Sequence, residues 1–99
     1  MKVFFTARAR RRAAVVAKWW RANRPAAPTL FEDELESATR RLEHLVVRGV
    51  VYSTVRGRPV CRVLLTQSAQ HVYYSVDAQA KRVIVHTIWG ARRGRGPAL

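Results

Sequence analysis

The sequence predicts an α+β domain in which a helical hairpin packs on a small antiparallel sheet. Two observations carry this reading. Apolar residues at helical spacing are confined to the first half of the chain, while β-branched and aromatic runs separated by turn residues fill the second. Between the two helical segments lies a Pro-bounded linker, too short for anything but an antiparallel pair.

Val3 to Phe5 reads as a short first strand, and Thr6 can cap a helix that starts near Ala7. From Ala9, the positions Ala13, Val16, Ala17 and Trp20 lie on one helical face, and Asn23-Arg24-Pro25 ends the segment. After Pro28, Thr29-Leu30-Phe31-Glu32 has the form of a capping box, which opens a second helix. Phe31, Leu35, Ala38, Leu42 and Leu45 form its apolar stripe, with acids in the first turn and Arg48-Gly49 closing the end. Strands are expected at Val50 to Val55, Val60 to Leu65, Val72 to Val76 and Val83 to Trp89. Arg56-Gly57-Arg58-Pro59 marks a turn, and the next two connections are short enough for hairpins, so the last three strands should form a meander. Spacing leaves the register open, because a slip of one residue exchanges the faces of a strand.

A chain of 99 residues makes a single domain spanning 1–99, with a basic Gly/Arg tail over 90–99 expected to present mobile guanidinium groups beside the sheet. With 48% hydrophobic residues it has the means to fold. Its net charge of +13 favours an anionic partner, either nucleic acid or an acidic protein. Sixteen of the 19 cations are arginines, suited to fork-like contacts with phosphate or carboxylate. Five of the six acids lie between Glu32 and Glu43, so the first helix, the strands and the tail are basic. Arg8, Arg10, Arg11 and Arg12 crowd the start of the first helix, where the dipole opposes each by about 0.3–1 kcal/mol. Such a cost invites a role in binding. Cys61 is alone, which excludes an intramolecular disulfide and suits a reducing cytoplasm. No apolar run is long enough to span a membrane, and arginines follow Met1 to Phe5 too closely for a signal peptide.

The order of strand, helical hairpin, meander and basic tail resembles the RelE/ParE superfamily of bacterial type II toxins. Carrying the resemblance are Val3-Phe4-Phe5-Thr6, Trp20, Asn23-Arg24-Pro25, Arg62-Val63-Leu64-Leu65, His71-Val72-Tyr73-Tyr74-Ser75-Val76-Asp77 and the stretch from Val83 to Arg93. It implies a toxin of the plasmid-stabilisation kind, held silent by a cognate antitoxin that reaches operator DNA itself. Two targets divide the family: ParE-like members inhibit DNA gyrase, and RelE-like members cut messenger RNA on the ribosome. The cluster Trp89-Gly90-Ala91-Arg92-Arg93 is similar to the ParE-like ending, so gyrase inhibition without catalysis is the preferred expectation. Leu64 and His71 stand where the RNA-cleaving branch carries basic residues, and its late tyrosine has no counterpart here.

On this reading Trp89, Arg92, Arg93 and Arg95 would contact the target, while Arg8, Arg11, Arg12 and Trp19 would contact the antitoxin. The RNA-cleaving alternative would use Arg62 and Arg92 to hold phosphate and His71 or Tyr74 to move protons. His86 is a further general-base candidate, against the simpler reading of a half-buried strand histidine. His44, His71 and His86 are too scattered, and too poor in neighbouring acids, to suggest a metal. No cofactor is expected.

Overall fold

The computed structural model describes residues 1–45 and 49–99. Its elements are β1 (Lys2–Phe5), α1 (Ala7–Asn23), α2 (Leu30–Glu43), β2 (Val50–Val55), β3 (Arg58–Leu65), β4 (Gln70–Asp77) and β5 (Arg82–Gly90). The class is α+β, and the sheet order is β1-β5-β4-β3-β2. β2 to β5 form an antiparallel meander, one strand longer than the three foreseen. β1 lies parallel beside β5, so the sheet is mixed rather than wholly antiparallel. A parallel neighbour requires a crossover, and the helical hairpin is part of it.

Thr6 makes the first corner. Its hydroxyl accepts from the Ala9 N–H at 3.0 Å as the N-cap of α1 and donates to the His86 carbonyl at 2.9 Å. Its own N–H donates to the Val85 carbonyl at 3.0 Å, which joins the start of the helix to the middle of β5. The expected capping box at Thr29 is not formed. The Thr29 hydroxyl donates to Asp33 at 3.1 Å, and the Glu32 carboxylate turns outward to pair with Arg21 at 2.8 Å. An ion pair between the two helices has replaced the local backbone contact. α2 also stops earlier than its apolar stripe suggests, at Glu43, with Leu45 already in the left-handed region at φ 51°. The predicted closing residue Arg48 lies outside the described residues.

Both helices cover one face of the sheet. Ala9, Val16, Phe31, Ala38 and Leu42 meet Leu65, Val72, Tyr74, Val83, Val85 and Ile88, all nearly or fully buried. Burial of each large apolar side chain contributes about 1.5–3 kcal/mol, the main force holding helices to sheet. Tyr74 is the polar member of this layer, and its hydroxyl accepts from the Gly49 N–H at 2.8 Å. The register pairs Val76 with Val83 and Asp77 with Arg82. Tyr74 therefore shares its face with Val85, and Ile84 points with Ser75 to the other side. At Tyr73/Tyr74 the β5 register shifts by one residue, a bulge that places His86 opposite no partner.

Turn chemistry explains the hairpins. Arg56 and Gly57 both have positive φ, 52° and 77°, between the paired residues Val55 and Arg58, as a two-residue turn matched to strand twist requires. The β4–β5 loop is held by Asp77, whose Oδ1 accepts from the Ala80 N–H at 3.1 Å. That bond, opposed by burial and aided by Arg58 and Arg82, holds the Asp77 carboxyl below its ordinary range. At the opposite end, Glu34 of α2 accepts from the N–H groups of Gln67 and Ser68 at 2.9 and 2.8 Å and braces the β3–β4 turn. None of the described helices is long and apolar enough to cross a membrane.

Beyond Gly90 the tail forms no helix or strand, as its composition suggests, but its backbone is anchored to the rest of the domain. The Ala91 N–H donates to the Ala69 carbonyl at 2.8 Å, and the Trp89 indole N–H to the Arg95 carbonyl at 2.8 Å. The Tyr52 hydroxyl donates to the Pro97 carbonyl at 2.9 Å, and Arg8 to the Ala98 carbonyl at 2.6 Å. Pro97 is buried, and Gly96 sits so close to the Tyr52 ring that a side chain there has no room. Backbone carbonyls, which composition does not advertise, anchor the segment.

The Gly49 contact gives a direct test of the core. A methyl group on Gly49 would lie 2.6 Å from the Tyr74 hydroxyl and 2.8 Å from the Arg62 carbonyl. Gly49→Ala should destabilise the domain by about 1–3 kcal/mol through overpacking, and Tyr74→Phe by about 1 kcal/mol through the lost bond. Urea midpoints of the two variants measure both effects.

Candidate functional site

The face of the sheet turned away from the helices is built in cross-strand rows. Leu64, His71 and Trp89 form one row, and Arg62, Tyr73 and Thr87 the next. Tyr52 from β2 packs edge-on against Tyr73 at 4.8 Å between ring centroids, and the Arg62 guanidinium lies 5.5 Å from the Tyr52 ring. Tyr73 is 1% exposed, because the tail crosses this face from Trp89 to Tyr52. The tail ends with Leu99 near Val60, Ser75, Ile84 and His86.

Two histidines on this face have lowered pKa values. Burial lowers the His71 pKa from its ordinary 6.5, and the charge of Arg62 lowers it further. His86, beside the bulge, is lowered by burial and then by Arg58, and its Nε2 lies 2.8 Å from the Ser75 hydroxyl. Of the residues named for RNA cleavage, Arg62 and His71 therefore share a face and an electrostatic environment. Tyr74 does not join them, because it points into the helix-covered layer and is bonded to Gly49. Arg92 follows β5 and faces a separate cleft near α1. Tyr73, on the same face as Arg62, is sealed beneath the tail.

The target-contact residues converge better. The Arg93 guanidinium stacks 4.2 Å from the Trp89 ring centroid, and that of Arg12 lies 5.9 Å from the same ring. Arg12 also donates to the Ile88 carbonyl at 3.3 Å, along the part of β5 that β1 is too short to cover. Burial lowers the Arg12 pKa, followed by the charges of Arg93 and Arg8. Arg92 and Arg95 are exposed. The result is an aromatic ring with two guanidinium groups close to it at one end of the sheet.

The residues named for antitoxin contact divide. Arg8 and Arg12, one turn apart, reach the Ala98 and Ile88 carbonyls, so part of the cost of placing cations at the α1 N-terminus is offset by these internal bonds. Arg11 and Trp19 are exposed. Trp20 packs against the core while Trp19 meets its edge at 5.8 Å. Among the described residues no group of three or more His, Cys, Asp or Glu side chains is placed to hold a metal ion. Sequence reading missed the roles of Tyr52, Glu34 and Ser68, whose contacts depend on elements far apart in the chain. Compared with protein-family models, curated proteins and solved structures, the chain has no match.

Lowered histidine pKa values make stability depend on pH with a definite sign. The unfolded chain binds protons near pH 6.5, while the folded state resists them. The contribution of both histidines is therefore present above that pH and lost as pH falls through the lower folded values. Urea midpoints should drop between pH 7.5 and 5, and a His71→Gln/His86→Gln variant should show a flatter profile over that interval.

Proposed function

We propose that this protein is the toxin of a type II toxin-antitoxin pair that acts in the cytoplasm by inhibiting DNA gyrase. A cognate acidic antitoxin would neutralise it and mediate any contact with operator DNA. The reading rests on one observation above the rest: Arg93 stacked on Trp89 with Arg12 near the same ring, and Arg92 and Arg95 exposed beside it. Trp and Arg are the residues that most often dominate a protein interface, and a guanidinium prepacked on an indole loses less freedom on binding. The order of strand, helical pair and meander, and the net charge of +13, support the same reading. In this mechanism the protein binds and blocks, and no bond of a substrate is broken.

A second reading, ribosome-dependent cleavage of messenger RNA, draws support from Arg62 and His71 on one face. A neutral imidazole can accept the ribose 2′-OH proton while Arg62 stabilises the phosphorane. The separation of Tyr74 and Arg92 from that pair favours the binding inhibitor.

Expression without an antitoxin should arrest growth, and purified protein should stop gyrase from supercoiling relaxed plasmid. Arg92→Ala/Arg93→Ala/Arg95→Ala should weaken supercoiling inhibition at least about tenfold, since hot-spot residues are each worth about 2 kcal/mol or more. His71→Ala should leave it unchanged. Unimpaired supercoiling, together with transcripts cut only when ribosomes are present and spared by His71→Ala, would transfer the function to the second reading.

A further inference from the structure

A cleft of about 650 Å³ lies between α1, the β3–β4 turn and the start of the tail, apart from the tail-covered face. Arg12, Arg24, Arg92 and Arg93 line it, together with Trp19 and Trp20. No carboxylate lines it, and among the described residues none of the four arginines forms an ion pair. Such a concentration of like charge is relieved by an anion of two or more negative charges. Trp19 is 47% exposed, an expensive arrangement for an indole in a domain that has a core available.

Two further atoms point to a ligand. The Ser68 hydroxyl and the Gln70 Oε1 both belong to residues lining this cleft, are buried, and have no hydrogen-bond partner. Ser68 is only 6% exposed. Buried polar groups are normally paired, and leaving one unpaired is costly. Glu34 bonds the backbone N–H groups of Gln67 and Ser68, and Gln70 opens β4, so the backbone that carries both side chains is tied to the fold. Oε1 is an acceptor and calls for an N–H or O–H donor, while the Ser68 hydroxyl can serve either role.

Cations, an exposed indole and an unmet acceptor in one cleft match a phosphate, a flat ring and an amino group in one molecule. The geometry points to a free nucleoside phosphate with an amino-bearing base, its phosphates on Arg12, Arg92 and Arg93, its base on Trp19, and its amino group at Gln70. The edge-to-face contact of Trp19 with Trp20, and Arg24 at 5.1 Å from the Trp19 ring, limit the stacking surface to one base. The volume is in the range of small-ligand sites. The cleft shares Arg12, Arg92 and Arg93 with the proposed target-contact cluster, but ligand binding there is a separate property and its test needs no toxic activity.

The experiment is a titration of the full chain, followed by tryptophan fluorescence and calorimetry, with ADP, pyrophosphate, adenosine and a hexameric oligoadenylate as probes. ADP should bind saturably, at least about tenfold more tightly than pyrophosphate or adenosine, since each supplies only half of the recognition. Trp19→Ala should weaken ADP about tenfold and leave pyrophosphate unchanged. Gln70→Glu, with its added charge, and Ser68→Ala should each weaken ADP, with circular dichroism confirming that the variants fold. Pyrophosphate binding as tightly as ADP would reduce the cleft to an anion patch and overturn the proposal. No saturation with ADP at millimolar concentration would do the same, and a hexamer binding more than about tenfold tighter than ADP would assign the cleft to a nucleic-acid strand instead.

Discussion

The hydroxyl of Thr6 is the joint on which the architecture turns. It caps α1 and at the same time donates to β5 at the residue where that strand bulges. Because β1 enters beside β5 and the chain leaves through Thr6, the start of α1 is fixed relative to β5. One side of α1 then runs along the segment of β5 that β1 leaves unpaired, which brings Arg12 to the Ile88 carbonyl, while Arg8 reaches the Ala98 carbonyl of the tail. The apolar face of the same helix drops onto the sheet. Cation placement and core packing thus follow from a single corner.

That corner also reconciles a high positive charge with a compact fold. Like charges destabilise a folded state by mutual repulsion, and few acids are present to balance them. Three devices distribute the load. Asp77 sits between Arg58 and Arg82, carbonyls accept from Arg8 and Arg12, and aromatic faces lie under Arg12, Arg24, Arg62 and Arg93. Exposed ion pairs contribute little, so the π faces and carbonyls carry much of the accommodation. The last two devices hold Arg8, Arg12, Arg24, Arg62 and Arg93 in place without carboxylate partners among the described residues, which is the condition for binding an external anion tightly. Charge that is a liability for folding becomes an asset for recognition.

The tail shows how a segment of low structural propensity acquires order. Glycines and arginines there have no periodicity that would favour a helix or a strand, but its hydrogen-bond anchors are main-chain carbonyls and N–H groups. Its partners, Tyr52, Trp89 and Arg8, come from three different elements. Gly96 is required because the Tyr52 ring occupies the space of a Cβ. The tail in turn seals Tyr73 and leaves Arg62 and His71 in shared electrostatic contact on that face.

Local chemistry in the sequence determined the helices, the strands and the Arg56-Gly57 turn, because hydrophobic period and backbone preference act over a few residues. The helix N-cap at Thr6 was legible for the same reason, and so was the basic character of the surface. Tertiary structure alone decided which face of β4 is buried, since a period of two is symmetric to a one-residue slip until helices cover one side. It separated Tyr74 from Arg62 and His71, and it turned Glu32 from its own helix cap to Arg21. It also gathered Arg12, Trp19, Ser68 and Arg93 around one cleft. These outcomes depend on contacts between residues tens of positions apart, where the geometry of packed elements, rather than local preference, sets the lowest free energy.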